Sequence, residues 1–300
     1  MARYRSDNLF QIILELSKVR ITIAVAVTTI AGYILGTNGY NLGFIFPTLG
    51  IFLLACGSSV INHLQERRTD AFMTRTRQRP IPAQKVTLKF AVLLAGAETL
   101  AGSAVLYISA GRIALFLGWF AMIWYNVVYT NLKKKTAHAV IPGSVIGSIP
   151  PLVGWVAAQR GLLALETLLL ALLFFVWQVP HFYLLAAKYG KEYENAGLPS
   201  LTRSYSPERI KRTVFFWVVL TTLSAIGYSF SRPYGTWISS VFIIMISVWL
   251  IFTFSPLLIN RGDSFSPGNY FMKINYYVLA VILVLTTDPA LQRYLSGVGS

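Results

Sequence analysis

The feature that most constrains this sequence is a series of apolar segments, each long enough to cross a bilayer. A helix needs about 20 residues to span the hydrocarbon core. The 300-residue chain offers nine such segments, at roughly 20–37, 43–62, 88–110, 112–130, 139–158, 162–187, 213–231, 236–259 and 273–288. Only 12% of its residues are charged, about half the share in a soluble domain. We therefore predict an all-α, polytopic membrane helical bundle of about nine transmembrane helices, forming a single domain over residues 1–300.

Basic residues are divided unequally between the two sets of loops. All but four of the 26 fall on the face that carries the N-terminus; the exceptions are Arg112, Arg160, Arg232 and Arg293. Cytoplasmic loops carry the excess of Lys and Arg, so the N-terminus is expected in the cytoplasm. The same rule explains the net charge of +15 without a nucleic-acid partner. Because the N-terminal 20 residues lack the composition of an organelle transit peptide, we predict a multi-pass protein of the bacterial inner membrane.

The segment NHLQERRTDAFMTRTRQRP, residues 62–80, concentrates charge at the cytoplasmic end of the second apolar segment. Asn62, Glu66 and Asp70 stand at positions i, i+4 and i+8, so they share one helical face. Their oxygens suit Mg²⁺, which commonly binds through one or two carboxylates plus substrate phosphates. Three arginines that can hold phosphate oxygens follow: Arg75, Arg77 and Arg79. The alternative is a juxtamembrane charge cluster in which the two carboxylates pair with Arg67 or Arg75.

A second polar group of residues lies within residues 174–205. Gln178 and His181 interrupt an otherwise apolar helix, and Glu192, Tyr193 and Glu194 lie at or beyond its cytoplasmic end. Two acidic clusters on one membrane face could hold metal ions from opposite sides of one cavity. Ionisable residues inside a membrane are usually functional, so His181 is either a functional residue or a buried polar group bonded to a neighbouring helix.

A third stretch, residues 129–155, begins with three lysines that either attract a polyanion or anchor the cytoplasmic end: Lys133, Lys134 and Lys135. Four small residues then predict close helix packing: Gly143, Ser144, Gly147 and Ser148. Glu98, within the third apolar segment, is expected to be structural or to line a cavity. A transporter would show paired polar residues at mid-membrane on several helices, whereas only Glu98 and His181 lie there.

Together these three stretches resemble the UbiA superfamily of intramembrane prenyltransferases, most closely its protohaem IX farnesyltransferase (haem O synthase) branch. The first motif is matched by Asn62, Glu66, Asp70, Met73, Arg75, Thr76, Arg79 and Pro80. The second is matched by Tyr129, Thr130, Leu132, Lys133, Thr136, Pro150, Pro151, Leu152, Gly154 and Trp155. The third is matched by Trp177, Pro180, His181, Phe182, Tyr193, Ala196, Gly197 and Pro199.

The resemblance implies a central cavity open to the cytoplasm, with the motif loops at 63–89 and 188–212. It implies Mg²⁺-dependent transfer of a farnesyl group from farnesyl diphosphate to a vinyl group of haem B, giving haem O. The implied catalytic residues are Asn62, Glu66, Asp70, Arg75, Lys133, Glu192 and Tyr193. Among them, the metal ligands would be Asn62, Glu66, Asp70 and Glu192. The implied substrate-binding residues are Arg79, Gln178, His181 and Tyr129.

Two residues depart from the family pattern, because Glu66 and Glu192 stand where aspartate is usual. Each keeps a carboxylate on a longer side chain, so metal binding is expected to survive with altered geometry. Ala196 replaces the second aspartate of relatives that use quinone precursors, which favours haem as the acceptor. The alternatives are a sibling acting on a quinone precursor or chlorin, a membrane transporter, and a haem-binding accessory protein. The lipid bilayer and a downstream haem A synthase are the further partners that the resemblance implies.

Overall fold

The computed structural model describes residues 8–259 and 265–298, and regular secondary structure within these ranges is entirely helical. The α-helices are α1 Leu9–Leu16, α2 Val19–Thr37, α3 Ile45–Asp70, α4 Leu88–Ile123, α5 Thr130–Leu132, α6 Val140–Gly143, α7 Val145–Ala157, α8 Leu165–Lys188, α9 Gly190–Asn195, α10 Leu201–Ser204, α11 Pro207–Ser231, α12 Trp237–Phe254, α13 Pro256–Ile259 and α14 Pro267–Val298. A π-helical segment, Trp124–Tyr129, continues α4, and short 3-10 turns occur at Leu42–Phe44 and Ala137–Ala139.

Eight helical stretches in the described residues are long and apolar enough to cross a membrane. One of them, Leu88–Leu132, turns back on itself at Gly111, whose φ of 77° is a conformation that glycine adopts without steric cost. Across this turn, Trp119 Nε1 donates to Ser103 Oγ at 3.1 Å, and Thr99 Oγ1 donates to Met122 Sδ at 4.0 Å. The stretch is therefore an antiparallel hairpin that crosses twice, and the part of the chain that is described matches the predicted nine crossings.

Several of the predicted segments have different boundaries in the structure. The segment expected at 43–62 continues to Asp70 in α3, and the one expected at 213–231 begins at Pro207 in α11. The segment expected at 139–158 is broken at Ser144, where α6 ends and α7 begins. The segment expected at 273–288 lies within the much longer α14, Pro267–Val298. Hydropathy detects only the part of a helix that lies in hydrocarbon, and the ends of α14 carry polar residues such as Lys273 and Arg293.

The closest helix contact joins α2 to α7, and glycines make it possible. A Cβ atom on Gly32 would lie 1.9 Å from the Pro151 carbonyl oxygen, and one on Gly154 would lie 1.9 Å from the Thr29 carbonyl oxygen. Of the small residues predicted to pack closely, Gly147 lies against Gln178. Gly143 lies against Tyr129. These two glycines accommodate side chains rather than a neighbouring backbone, so the predicted close approach of helix backbones is not made at these positions.

The two ends of the bundle differ as the charge pattern predicts. At one end the large loops meet, and the Arg75 guanidinium lies 4.6 Å from the centre of the Tyr189 ring. At the other end short links are tied by the ion pair between Arg232 and Asp288, at 2.8 Å, and by Arg160 Nε, which donates to the Gly36 carbonyl at 2.6 Å. Three basic residues assigned to the cytoplasmic face lie outside the described residues: Arg3, Arg5 and Arg261.

Glu98 connects α4 to the junction between α1 and α2. The Ser17 hydroxyl donates to its Oε1 at 2.7 Å. This contact between distant parts of the chain supports the structural role expected for Glu98, because an intramembrane carboxyl group is tolerated where another helix supplies a hydrogen bond.

Candidate active site

The last three turns of α3 carry the predicted stripe of oxygen ligands. Asn62, Glu66 and Asp70 are only 1%, 6% and 0% exposed, and their spacing places them on one face of the helix. Buried carboxylates need charged or hydrogen-bonding partners. Each residue of the stripe contacts a cation, and the three cations come from three different segments of the chain: Lys18, Lys133 and Arg79.

Lys18 lies between α1 and α2, and its Nζ donates to Asn62 Oδ1 at 2.7 Å. The Asn62 amide nitrogen donates in turn to Thr130 Oγ1 at 3.2 Å. Burial, reinforced by the positive charge of Arg79, lowers the pKa of Lys18 from 10.5 to about 7. From the sequence, Lys18 is predicted only to contribute to the cytoplasmic charge. Its position directly before the first membrane helix was the signal that could have drawn attention to it.

Lys133 follows α5 and forms an ion pair with Glu66 Oε1. Its ammonium group also lies 5.5 Å from the centre of the Tyr129 ring. Burial lowers the pKa of Lys133, but the Glu66 carboxylate outweighs burial, so the pKa lies above its ordinary value. The alternative prediction that Glu66 pairs with Arg67 is wrong, because Arg67 instead donates to the Leu64 carbonyl at 2.7 Å.

Arg79, on the connection between α3 and α4, pairs with Asp70 Oδ2 at 2.8 Å. The Thr76 hydroxyl donates to the Asp70 carbonyl oxygen at 3.0 Å, which fixes the loop where it leaves the helix. Asp70 Oδ1 is buried and has no hydrogen-bond partner among the described residues. Arg75 does not pair with Asp70. It is exposed at the surface, and its guanidinium lies over the Tyr189 ring.

The second acidic motif lies on the short helix α9. Glu192 Oε2 is buried without a hydrogen-bond partner in the described ranges. Glu194 accepts a hydrogen bond from the Thr202 hydroxyl at 2.7 Å, and this bond, with one from Ser200, lowers the pKa of Glu194. No three His, Cys, Asp or Glu side chains in the described chain are grouped closely enough to hold a metal ion. The structure therefore does not bring Glu192 together with Glu66 and Asp70.

An aromatic cavity of about 50 Å³ lies beside the stripe. Tyr129, Lys133, Phe182 and Tyr193 are among its lining residues. The rings of Tyr125, Tyr129 and Phe182 stack in sequence, with centroid separations of 5.8 and 5.9 Å. Tyr129 ends the π-helical segment, a deviation from α-helix that occurs frequently at functional sites. One side of this cavity therefore presents aromatic rings next to a lysine that contacts the stripe, while most of the remaining lining is aliphatic.

Gln178 and His181 of α8 contact different neighbouring helices. Gln178 packs against Gly147 of α7, whereas His181 Nδ1 lies 2.9 Å from Asn275 Oδ1 of α14. The structure thus places His181 in contact with a neighbouring helix, as one of the two predicted alternatives requires. Asn275 was not identified from the sequence.

The oxygen donors of the stripe fit Mg²⁺. This ion prefers oxygen ligands and commonly uses one or two carboxylates together with substrate phosphates, so a three-carboxylate cluster is unnecessary. Asp70 Oδ1 has free acceptor capacity, and the Glu66 carboxylate and Asn62 amide oxygen lie on the same helical face. The cations that pair with these oxygens are the groups that would hold a diphosphate.

Comparisons with known proteins indicate the same family as the sequence motifs. A sequence profile described as the UbiA prenyltransferase family matches residues 25–276. Protoheme IX farnesyltransferase 1 of Pseudomonas fluorescens is 31% identical over 282 residues, which cover 92% of this chain and 92% of that protein.

Two solved structures share the fold. A structure of digeranylgeranylglyceryl phosphate synthase superposes with a TM-score of 0.76 at 17% identity, covering 93% of this chain and 98% of that one. A UbiA homolog from Archaeoglobus fulgidus, bound to GPP and Mg²⁺, superposes with a TM-score of 0.67 at 14% identity, covering 93% and 99%.

Proposed function

The chain belongs to the UbiA prenyltransferase family, and on that premise we propose that it transfers a farnesyl group from farnesyl diphosphate to a vinyl group of haem B. The products are diphosphate and haem O. The observation that carries this proposal is a buried stripe of two carboxylates and one amide, each in contact with a cation, beside a cavity lined partly by aromatic rings. The choice of haem is supported by relatives named protoheme IX farnesyltransferase.

At the diphosphate end, Asn62, Glu66 and Asp70 would hold Mg²⁺, and Glu192 of α9, which is not grouped with them, would hold a second ion. The Mg²⁺ in the Archaeoglobus fulgidus homolog supports this requirement. When bound, the ion supplies positive charge that stabilises the departing diphosphate. The residues that now neutralise the stripe, Lys18, Lys133 and Arg79, would donate to the phosphate oxygens. Arg75, exposed at the rim, would capture the incoming diphosphate.

At the isoprenoid end, the aromatic wall protects the reactive carbon. Breaking the C1–O bond of farnesyl diphosphate leaves an allylic cation, which is attracted to the faces of aromatic rings. Tyr129 and Phe182 provide stacked faces, and Tyr193 completes the lining next to Lys133. The cavity also excludes water, which prevents hydrolysis of the cation.

The acceptor step forms the new carbon–carbon bond. The terminal vinyl carbon of haem B attacks farnesyl C1, which moves the positive charge to the carbon next to the porphyrin ring. Water adds there and loses a proton, giving a hydroxyethylfarnesyl side chain. Gln178 and His181, on the helix that lines the cavity, would contact the acceptor.

The chain is a multi-pass membrane protein. We propose the bacterial inner membrane as its location, which fits the bacterial relatives, and a haem A synthase as the enzyme that receives the product.

The test uses the purified full-length protein in detergent with farnesyl diphosphate, haem B and Mg²⁺. Chromatography with mass analysis should show haem O, formed in equal amount to the diphosphate released, and Asp70→Ala should make neither product while eluting as folded protein. Parallel reactions offer a quinone precursor or a chlorin. If one of these acceptors is prenylated and haem B is not, the proposed acceptor is wrong. If no mixture releases diphosphate, the protein is not a prenyltransferase.

A further inference from the structure

His181 is held by a chain of two hydrogen bonds whose directions are fixed. The Asn275 amide nitrogen donates to the Phe271 carbonyl oxygen at 2.6 Å. Since only the nitrogen of an amide can donate to a carbonyl, the oxygen of Asn275 is the atom that faces His181 Nδ1, at 2.9 Å. That oxygen can only accept, so Nδ1 carries the proton.

This arrangement selects one tautomer of the imidazole. A neutral ring that is protonated at Nδ1 has its lone pair on Nε2. Such a nitrogen can bind a metal ion but cannot donate a hydrogen bond to a carboxylate. Metal-binding histidines are commonly oriented in this way: the ring nitrogen that does not bind the metal donates a hydrogen bond to an acceptor.

The surroundings of His181 favour the neutral ring and a flat ligand. Three aromatic rings surround the imidazole, with centroid separations of 5.2 Å to Trp177, 5.6 Å to Phe182 and 4.6 Å to Phe271. Charge is costly in such apolar surroundings. Phe182 also stacks on Tyr129, so an unbroken series of rings runs from the lysine at the diphosphate end to His181.

We propose that His181 Nε2 binds the iron of the haem acceptor and that Asn275 is the positioning residue that keeps this nitrogen unprotonated. The proposal rests on the proposed function, because it names how the acceptor of that reaction is held. It excludes a role in which the neutral His181 donates a hydrogen bond from Nε2 to a haem propionate. It also gives Asn275, on a helix that carries none of the family motifs, a specific role.

The test measures binding rather than turnover. Haem B and metal-free protoporphyrin IX are titrated into the full-length wild-type protein and into His181→Ala, Asn275→Leu and Asn275→Asp, with the Soret band recorded. We expect His181→Ala to lose the spectrum of an imidazole-bound haem. Asn275→Leu should weaken haem binding about 10–100-fold, the usual cost of removing an orienting partner, and Asn275→Asp, which keeps an accepting oxygen, should restore it. Metal-free porphyrin should bind all four proteins equally.

Two results would overturn the proposal. One is that the variants lose affinity for haem and for metal-free porphyrin equally, which would mean that these residues shape the site without touching iron. The other is a wild-type ferrous haem complex without an iron–histidine stretching band in its resonance Raman spectrum, a measurement that does not depend on how the variants fold. If the wild type shows this band but forms no haem O, the proposed function fails while iron binding stands.

Discussion

Two buried aspartates at opposite ends of the bundle have the same burial and the same kind of partner, yet different surroundings. Asp70 and Asp288 are both 0% exposed, and each pairs with an arginine at 2.8 Å. Asp288 also accepts hydrogen bonds from the Thr236 backbone and hydroxyl and from the Ser239 hydroxyl. Asp70 Oδ1, by contrast, has no hydrogen-bond partner among the described residues.

The difference separates a carboxylate that stabilises the fold from one that is free to bind. Asp288 joins α14 to the link between α11 and α12, and both of its oxygens are satisfied. An unsatisfied buried polar atom costs about 1–3 kcal/mol. Asp70 bears that cost at the end of the bundle where the motifs meet, which supports the proposal that this oxygen binds a ligand.

The largest expected effect is that of Asp70→Asn on turnover. The substitution preserves shape but removes the charge that would hold Mg²⁺, so we expect activity to fall on the order of 10³-fold or more. Thermal unfolding should change little, because Arg79 has an 18% exposed side chain and can reach water. Product formation and melting temperature are measured on the same preparation. If the variant melts far below wild type, Asp70 stabilises the fold as Asp288 does.

Asp288→Ala should give the opposite pattern. The Arg232 side chain is only 7% exposed, and removing one partner of a buried ion pair costs about 3–5 kcal/mol. We expect a large drop in melting temperature, with near-normal turnover per folded molecule at low temperature. Normal stability together with lost activity would contradict a purely structural role.

Lys133→Met is expected to have an intermediate effect. It leaves Glu66 without its ion-pair partner and removes a donor to the diphosphate, so turnover should fall about 10²-fold. Lys134→Met is the matched control, because this neighbouring lysine is exposed and should lose almost no activity. Steady-state kinetics with farnesyl diphosphate compare the two variants. Equal losses of activity would mean that Lys133 contributes only general surface charge.

The smallest expected effect concerns Glu194, the half-buried acidic neighbour of Glu192. Its pKa is lowered below the ordinary 4.5 by hydrogen bonds from Thr202 and Ser200. A lowered carboxyl pKa stabilises the folded state above 4.5, and this contribution is lost as the pH falls through the lowered pKa. Glu194→Gln should therefore melt slightly below wild type at pH 7 and converge with it in acid. A difference that persists unchanged in acid would show that ionisation of Glu194 is not its source.

The spacing of polar residues predicted the stripe on α3, because positions four apart on a helix share a face whatever surrounds them. Asn62, Glu66 and Asp70 are adjacent and buried as expected. The turn between the third and fourth crossings was also predictable, because Gly111 stands between two apolar runs.

The partners of these residues could not be predicted. Lys18 is separated from Asn62 by 44 positions, and His181 from Asn275 by 94. Nothing in helical periodicity says which helices become neighbours. Glu66 pairs with Lys133 and not with the arginine next to it in sequence, because folding places Lys133, which follows α5, beside the Glu66 carboxylate.

The sequence by itself determined the membrane-spanning helices and the family, because hydropathy and motif residues are local properties. The tertiary structure alone decided which cation neutralises which carboxylate, and which helix orients His181. It also decided that Asp288 is saturated while Asp70 is not. These are pairings between distant segments, and packing settles them because each buried charge must find its partner from whichever helix lies beside it.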